Sequence, residues 1–361
     1  MSTISSVGVA VPPYRISQDL AKQLVKKLFN HSFRDIDRLL TVFENSQIET
    51  RYFSVPPKWF EQDHDQEEKN RLYIETAERL GMEAINKCLD PINLHPSEID
   101  YFIFVSTTGF ATPSMDARLI NLLNMKPQIK RTPIWGLGCA GGAVGLTRAY
   151  EYARAFPDSI VLVLAIELCG LTFLQNDHSK SNLIGTSLFA DGAAAVLVMG
   201  HEALHQRKTN LAEIHSPMPQ VVDTMSTTWK DSLDVMGWDI TNSGLKVIFS
   251  RDIPSIVNKW MKSNVLQFLD RFQLSMDDIR HFITHPGGMK VIAAYEESLG
   301  IPSQKLSSAK QVLKDYGNMS SPTVLFVLQQ VLESPVHKGD YGLIAALGPG
   351  FSSELLLVQW N

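Results

Sequence analysis

The chain has 361 residues, of which 44% are hydrophobic and 20% charged, the balance of an ordinary globular protein long enough for two fused domains. A formal net charge of −5 supplies no basic excess to hold a phosphate backbone, which argues against nucleic acid as a partner. No apolar run approaches the roughly 20 residues of a membrane span, the opening MSTISSVGVAVPPYR lacks the basic-then-apolar order of a signal peptide, and three scattered cysteines, Cys88, Cys139 and Cys169, suit a reducing cytoplasm.

In chain order, ETAERLGMEAINKCL (75–89) has the spacing of an amphipathic helix, and PSEIDYFIFVSTTG (96–109) holds a short buried strand. The basic stretch KPQIKR (126–131) reads as a solvated loop and TPIW (132–135) as the end of a strand. The residues after Cys139 predict a helix through Phe156, stopped by Pro157. SIVLVLAIE (159–167) and SLFADGAAAVLVMG (187–200) read as core strands. The stretch 201–239 is polar and weakly periodic and reads as a join. His201 and His205 in it have helical spacing but no further ligands nearby, so no metal site is expected.

Beyond the join come a helix over 259–272, a strand within SMDDIRHFITHPGG (275–288), a buried helix over 323–332, and strands in DYGLIAALGPG (340–350) and SSELLLVQW (352–360). This series echoes the first. The pattern predicts an α/β architecture in layers, from one half over residues 1–210 and a second over 211–361.

Cys139 lies in WGLGCAGGAVG (135–145), between a strand end and a helix start. The exposed N–H groups of a helix N-terminus favour negative charge, so this position predicts a lowered thiol pKa. The glycines allow a sharp turn and a close approach to the sulfur. A thiolate needs a partner that holds its charge or exchanges its proton, and histidine suits neutral pH. His285 stands out among the ten histidines because it follows the buried strand HFIT and precedes Pro286-Gly287-Gly288. Asn318, after the turn residue Gly317, carries an amide that could donate toward the same centre, although turn geometry alone would also account for it.

The motifs GLGCAGG (136–142), FADGAAA (189–195), HPGG (285–288), GNMSS (317–321) and GPGFSSE (348–354) run in order through nearly the whole chain. Together they resemble those of the thiolase-superfamily condensing enzymes, most closely the chalcone-synthase-like type III polyketide synthases. Within that group the chain looks most like members from bacilli that make alkylpyrones. HPGG stands where the related ketoacyl synthases carry an HQAN-like motif.

The resemblance implies a five-layered αβαβα thiolase fold of two pseudo-duplicated halves, and a homodimer. Cys139 is then the nucleophile, His285 its ion-pair partner and base, and Asn318, with His285, a donor to the malonyl thioester oxygen. Acyl-CoA and malonyl-CoA are the implied substrates, with no metal or other cofactor. Phe189 matches the gatekeeping phenylalanine, and Thr107, Glu167, Cys169, Thr172, Gly185, Ala190, Val247 and Ser320 match the wall of the elongation cavity.

Departures from the plant pattern sharpen the expected substrate. SQIETRY (46–52) holds one cation, Arg51, where plant members have several, so the coenzyme phosphates are expected to meet Lys290 or Arg251 instead. Val247 replaces a second phenylalanine and leaves apolar room, which favours a medium or long fatty acyl starter and an alkylpyrone product. Three rivals remain: a synthase primed by malonyl-CoA that makes a tetrahydroxynaphthalene-like aromatic, a ketoacyl synthase acting on carrier-protein substrates, and a non-catalytic acyl-binding protein on the same scaffold.

Overall fold

The computed structural model describes residues 2–30, 33, 35–207, 217–250 and 252–361. Its strands are β1 (Ser2–Ala10), β2 (Tyr14–Ser17), β3 (Thr50–Phe53), β4 (Tyr101–Val105), β5 (Lys130–Ile134), β6 (Ile160–Leu168), β7 (Asp191–Gly200), β8 (Pro219–Thr228), β9 (Met236–Thr241), β10 (Gly244–Phe249), β11 (Ile279–Thr284), β12 (Tyr341–Gly348) and β13 (Ser352–Trp360). Strands are ordered β11-β12-β13-β8-β1-β7-β6-β4-β5. The two sides of this order repeat each other. β4 runs parallel to β6, β6 antiparallel to β7, and β7 antiparallel to β1. In the other half β11 runs parallel to β12, β12 antiparallel to β13, and β13 antiparallel to β8. The halves join where Ser2 and Thr3 of β1 meet Val221 and Gln220 of β8.

Side-chain alternation builds the layers. In β6, Val161, Val163 and Ala165 face a central core with the helices Gly141–Ala155 and Thr323–Leu332. Ile160, Leu162, Leu164 and Ile166 face the helix Gln66–Leu89 on the outside. In the second half, Ile344 and Ala346 of β12 point to the central core, while Leu343, Ala345 and Leu347 pack outward with the helices Ile253–Asp270 and Met289–Leu299. Both faces of each strand are covered, so the sequence there is apolar without a polar alternate. Each such side chain contributes about 1.5–3 kcal/mol by burial. The result is the thiolase-like order of helix, sheet, helix, sheet, helix. Among the described residues, no helix is long and apolar enough to cross a membrane.

Several expectations need correction. The stretch 201–239 is more than a join: residues 219–228 form β8, the edge where the two halves meet, and the proposed boundary at 210 lies outside the described residues. Its early part is the short helix His201–Gln206, on which His201 and His205 are exposed. The helix expected over 259–272 spans Ile253–Asp270. In the basic stretch 126–131, Lys126 pairs with Asp100, Lys130 begins β5, and Arg131 reaches Asp116 at 3.1 Å, so part of the expected loop is ion-paired strand.

Outside the layers, the helices Gln18–Phe29, Ile36–Asn45 and Lys180–Leu188 pack with the antiparallel β2–β3 pair around Phe29, Leu40 and Phe53. Ser17 and Ser179 cap two of these helices through their side chains. This cluster forms one wall of the cavity described next.

Candidate active site

Beyond the end of β5 the chain turns through the short 3₁₀ helix Gly138–Ala140 into the helix Gly141–Ala155, which places Cys139 at a strand-to-helix turn. The glycines answer to packing from the second half. A Cβ on Gly142 would lie 2.2 Å from the Ser321 carbonyl oxygen. Gly138 has φ +46° and would meet Pro349 at 2.9 Å. The cysteine turn is thus wedged between the GNMSS and GPGFSSE segments, with Cys139 Sγ 3.5 Å from Ser320 Oγ.

Asn318 is held by its backbone and its side chain. Its N–H donates to the Leu188 carbonyl and its carbonyl accepts from the Ala190 N–H, each at 2.9 Å, a bridge that spans Phe189. The side-chain Oδ1 accepts from the Ser320 N–H at 2.8 Å, and Nδ2 donates to the Gly287 carbonyl at 3.1 Å. The Asn318 side chain also acts on Cys139 as a hydrogen-bond donor. His285 follows β11, with its backbone N–H bonded to the Ala345 carbonyl at 2.8 Å. Its ring is buried, and among the described residues neither ring nitrogen has a hydrogen-bond partner. A Cβ on Gly287 would lie 3.8 Å from His285 Nε2. The Gly287 N–H donates to the His285 carbonyl at 3.0 Å, so the contacts run Cys139–Ser320–Asn318–Gly287–His285, across both halves.

Electrostatics correct the expected thiolate. Burial pushes the Cys139 thiol up to about 11, with the Glu167 carboxyl adding to the rise and the Ser320 and Asn318 side chains opposing it. Burial alone pulls His285 down to about 3. The helix end is worth at most a couple of kcal/mol, which full desolvation of an anion exceeds. Burial thus favours a thiol and a neutral imidazole, the form in which an imidazole nitrogen can act as a base.

Thr107 and Glu167, expected on the cavity wall, instead form a strut behind the cysteine turn. Glu167 Oε2 accepts from the Thr107 and Thr108 N–H groups at 2.9 and 3.0 Å, and Oε1 accepts from Ser321 Oγ at 2.9 Å. Thr107 Oγ1 in turn accepts from the Gly138 N–H at 3.1 Å. Burial raises Glu167 to about 7 against these donors. A carboxyl raised on folding stabilises the protein below its unfolded pKa near 4.5, and that contribution is lost as pH rises through 7. Glu167→Gln is expected to remove this pH dependence. Between pH 5 and pH 8 wild type should lose roughly 2.5 kcal/mol relative to the variant, as read by denaturant unfolding.

An apolar cavity, with about 80 Å³ open to the centre of a water molecule, starts beside this site. Phe189, Cys169, Thr172, Gly185 and Val247 line it. Ala190, Ser320, Thr107 and Glu167 do not: Ala190 belongs to the central core, and Ser320 sits against Cys139. Gly185 leaves space for the Phe189 ring, which a Cβ there would approach to 3.3 Å. The far wall comes from Ala21, Val25 and Leu28 of the first helix, with Phe53, Phe60 and Trp238. Sequence reading missed these residues, although Ala21, Val25 and Phe29 recur at the i, i+4 spacing of a buried helix face. Lys290 is exposed on the first turn of the helix that follows Gly287-Gly288, whereas Arg251 lies outside the described residues.

On another face, Phe110 and Trp135 stack at 5.6 Å while 40% and 48% exposed. They border a groove of about 650 Å³ that Tyr73, Met115 and Ile134 also line.

Comparison with known proteins matches residues 1–203 to the N-terminal domain of chalcone and stilbene synthases and residues 220–360 to the C-terminal domain. The chain is 50% identical to a putative chalcone synthase of Bacillus subtilis (strain 168), covering 100% of this chain and 99% of that one. It is 34% identical to the 1,3,6,8-tetrahydroxynaphthalene synthase of Streptomyces peucetius subsp. caesius, covering 99% and 93% respectively. The crystal structure of the tetrahydroxynaphthalene synthase of Streptomyces coelicolor A3(2), a bacterial type III polyketide synthase, superposes with a TM-score of 0.92 at 25% identity over 99% of each chain.

Proposed function

Since this chain belongs to the chalcone and stilbene synthase family of type III polyketide synthases, we propose that it joins a medium- or long-chain fatty acyl-CoA to malonyl-CoA units on Cys139 and releases an alkylpyrone. The contact path from Cys139 through Ser320, Asn318 and Gly287 to His285 carries this reading. In loading, His285 takes the Cys139 proton as sulfur attacks the thioester carbonyl; the coenzyme A thiolate leaves and recovers that proton. Malonyl-CoA then breaks its carboxyl C–C bond. Carbon dioxide departs, and the electron pair forms an enolate whose oxygen receives hydrogen bonds from His285 and Asn318. The enolate carbon attacks the acyl-Cys139 carbonyl and expels the thiolate, which leaves the chain, two carbons longer, as a coenzyme A thioester. Cys139 then attacks that thioester, takes the chain back and releases coenzyme A for the next round. After two rounds the triketide is reloaded on Cys139. Its enol oxygen attacks the thioester carbonyl, expels the sulfur, which recovers the enol proton, and closes the pyrone, an intramolecular step that proximity favours.

The apolar cavity beyond Phe189 supports the starter assignment. Phe189, between site and cavity, acts as the gate, and Val247 leaves room for an aliphatic chain. Each methylene removed from water contributes about 0.8 kcal/mol. Across a starter series, kcat/KM should therefore rise about fourfold per methylene until the cavity is full. The tetrahydroxynaphthalene synthases among its relatives favour a second reading, in which malonyl-CoA alone primes an aromatic product. Mass analysis of products from malonyl-CoA alone and with fatty acyl-CoAs separates the two: an aromatic pentaketide without any fatty starter would overturn the first. Use of carrier-bound malonate with rejection of malonyl-CoA would point to a ketoacyl synthase instead.

The protein acts as a cytoplasmic homodimer in this proposal, and the Phe110–Trp135 groove is the apolar face a second copy would cover. Residues 1–210 and 211–361 are its two thiolase-like halves, and Lys290 meets the coenzyme A phosphates.

A further inference from the structure

Arg51 turns into the protein and is 2% exposed. Its Nη1 donates to the Thr186 carbonyl at 2.7 Å and to the Phe189 carbonyl at 2.8 Å. The guanidinium lies 5.3 Å from the Phe53 ring centroid and forms part of the cavity wall. Its aliphatic stem packs on Gly317, where an added Cβ would meet Cγ at 2.7 Å and Cδ at 2.8 Å. Gly317 has φ +71° and directly precedes Asn318, so the turn that delivers Asn318 is shaped against the arginine stem. The backbone bridge from Asn318 to Leu188 and Ala190 closes the unit. A single side chain thus touches the segment that carries Phe189 and the turn that presents Asn318.

The counter-charge comes from Asp191, two residues beyond Phe189, whose field opposes the desolvation of Arg51. Asp191 Oδ2 accepts from the Ser54 N–H at 2.7 Å and Ser54 Oγ at 2.6 Å, while Oδ1 accepts from the Gly170 N–H at 2.6 Å, beside Cys169. A cation in an apolar wall is costly to desolvate, and an apolar side chain of similar volume is often as stabilising. Stability alone is therefore a weak reason for an arginine here, whereas a single Nη1 that donates to both the Thr186 and Phe189 carbonyls, at the end of a planar guanidinium, has a geometric one.

We propose that Arg51 is a positioning residue that holds Asn318 and Phe189 in register, and so controls the malonyl step and the starter length the cavity accepts. This rests on the roles assigned above to Asn318 and Phe189. Lysine keeps the charge, but its ammonium stops one bond short of Nη1 and lacks the planar group that sets that nitrogen between the two carbonyls. Gly317→Ala leaves the arginine in place and displaces its stem.

The test compares wild type, Arg51→Lys, Arg51→Met and Gly317→Ala by thermal melting, acyl loading of Cys139, conversion of malonyl-CoA to acetyl-CoA, and starter-length preference. Arg51→Lys and Gly317→Ala should load within about threefold of wild type yet decarboxylate roughly 10- to 100-fold more slowly, the cost of a misplacement near 1 Å. Their starter optimum should also shift, and Arg51→Met, if folded, should lose at least as much. Loading and decarboxylation that fall together with the folded fraction, or that both stay at wild-type rates, would overturn the proposal. Wild type that neither loads acyl groups nor releases carbon dioxide defeats the functional assignment itself.

Discussion

Replacing Asn318 with alanine should slow malonyl-CoA decarboxylation by about 100-fold while acyl loading of Cys139 stays within a few fold of wild type. One preorganised donor to a developing oxyanion is typically worth 10²–10³ in rate. Asn318 spends one amide proton on Gly287, and in the proposed mechanism the other, directed towards Cys139, meets the substrate oxygen. Its Oδ1 is held by the Ser320 N–H, which fixes the orientation of the amide. Loading makes no enolate, so it does not draw on that donor. Asn318→Asp keeps the shape but sets an acceptor where a donor is needed, and should impair decarboxylation at least as severely. Rates of carbon dioxide release and of acyl-enzyme formation, measured separately, check the division. Equal losses in both would place Asn318 in general support of the site.

His285→Ala should slow loading near neutral pH by 10²–10⁴-fold, the range for loss of a positioned acid–base group. It should also change the shape of the pH profile. In wild type, burial pushes the imidazole towards its unprotonated form and the thiol towards its protonated one. With both groups held in those forms between pH 5 and 9, loading through the base is expected to be nearly flat there. Without the imidazole only the rare thiolate attacks, and loading should rise about tenfold per pH unit. Single-turnover acylation followed by mass spectrometry gives both profiles. A wild-type step near pH 6 to 7 would show instead that a thiolate–imidazolium pair forms before substrate binds.

That contrast marks where the sequence was readable and where it was not. β12 and β13 and the helix Thr323–Leu332 stand out in the sequence because both their surroundings are apolar, leaving continuous hydrophobic runs between turn residues. β8 is partly exposed along most of its length and mixes polar with apolar residues, so 219–228 resembled a linker. The strand-to-helix position of Cys139 followed from its glycines, but the direction of its pKa did not. A helix end is visible in sequence, whereas the degree of burial depends on Ser320, Pro349 and other residues far along the chain. Arg51 is misleading for the same reason. Its polar neighbours suggest an exposed entrance, and only contacts with residues 186, 189 and 317 turn it inward.

The most direct test is the intact mass of the protein after brief exposure to a fatty acyl-CoA, followed by peptide mapping. Wild type should gain one acyl mass on the peptide containing Cys139, lose it when malonyl-CoA is added, and gain none as Cys139→Ala. Acylation confined to Cys169, or an adduct that persists unchanged in malonyl-CoA, would contradict the account.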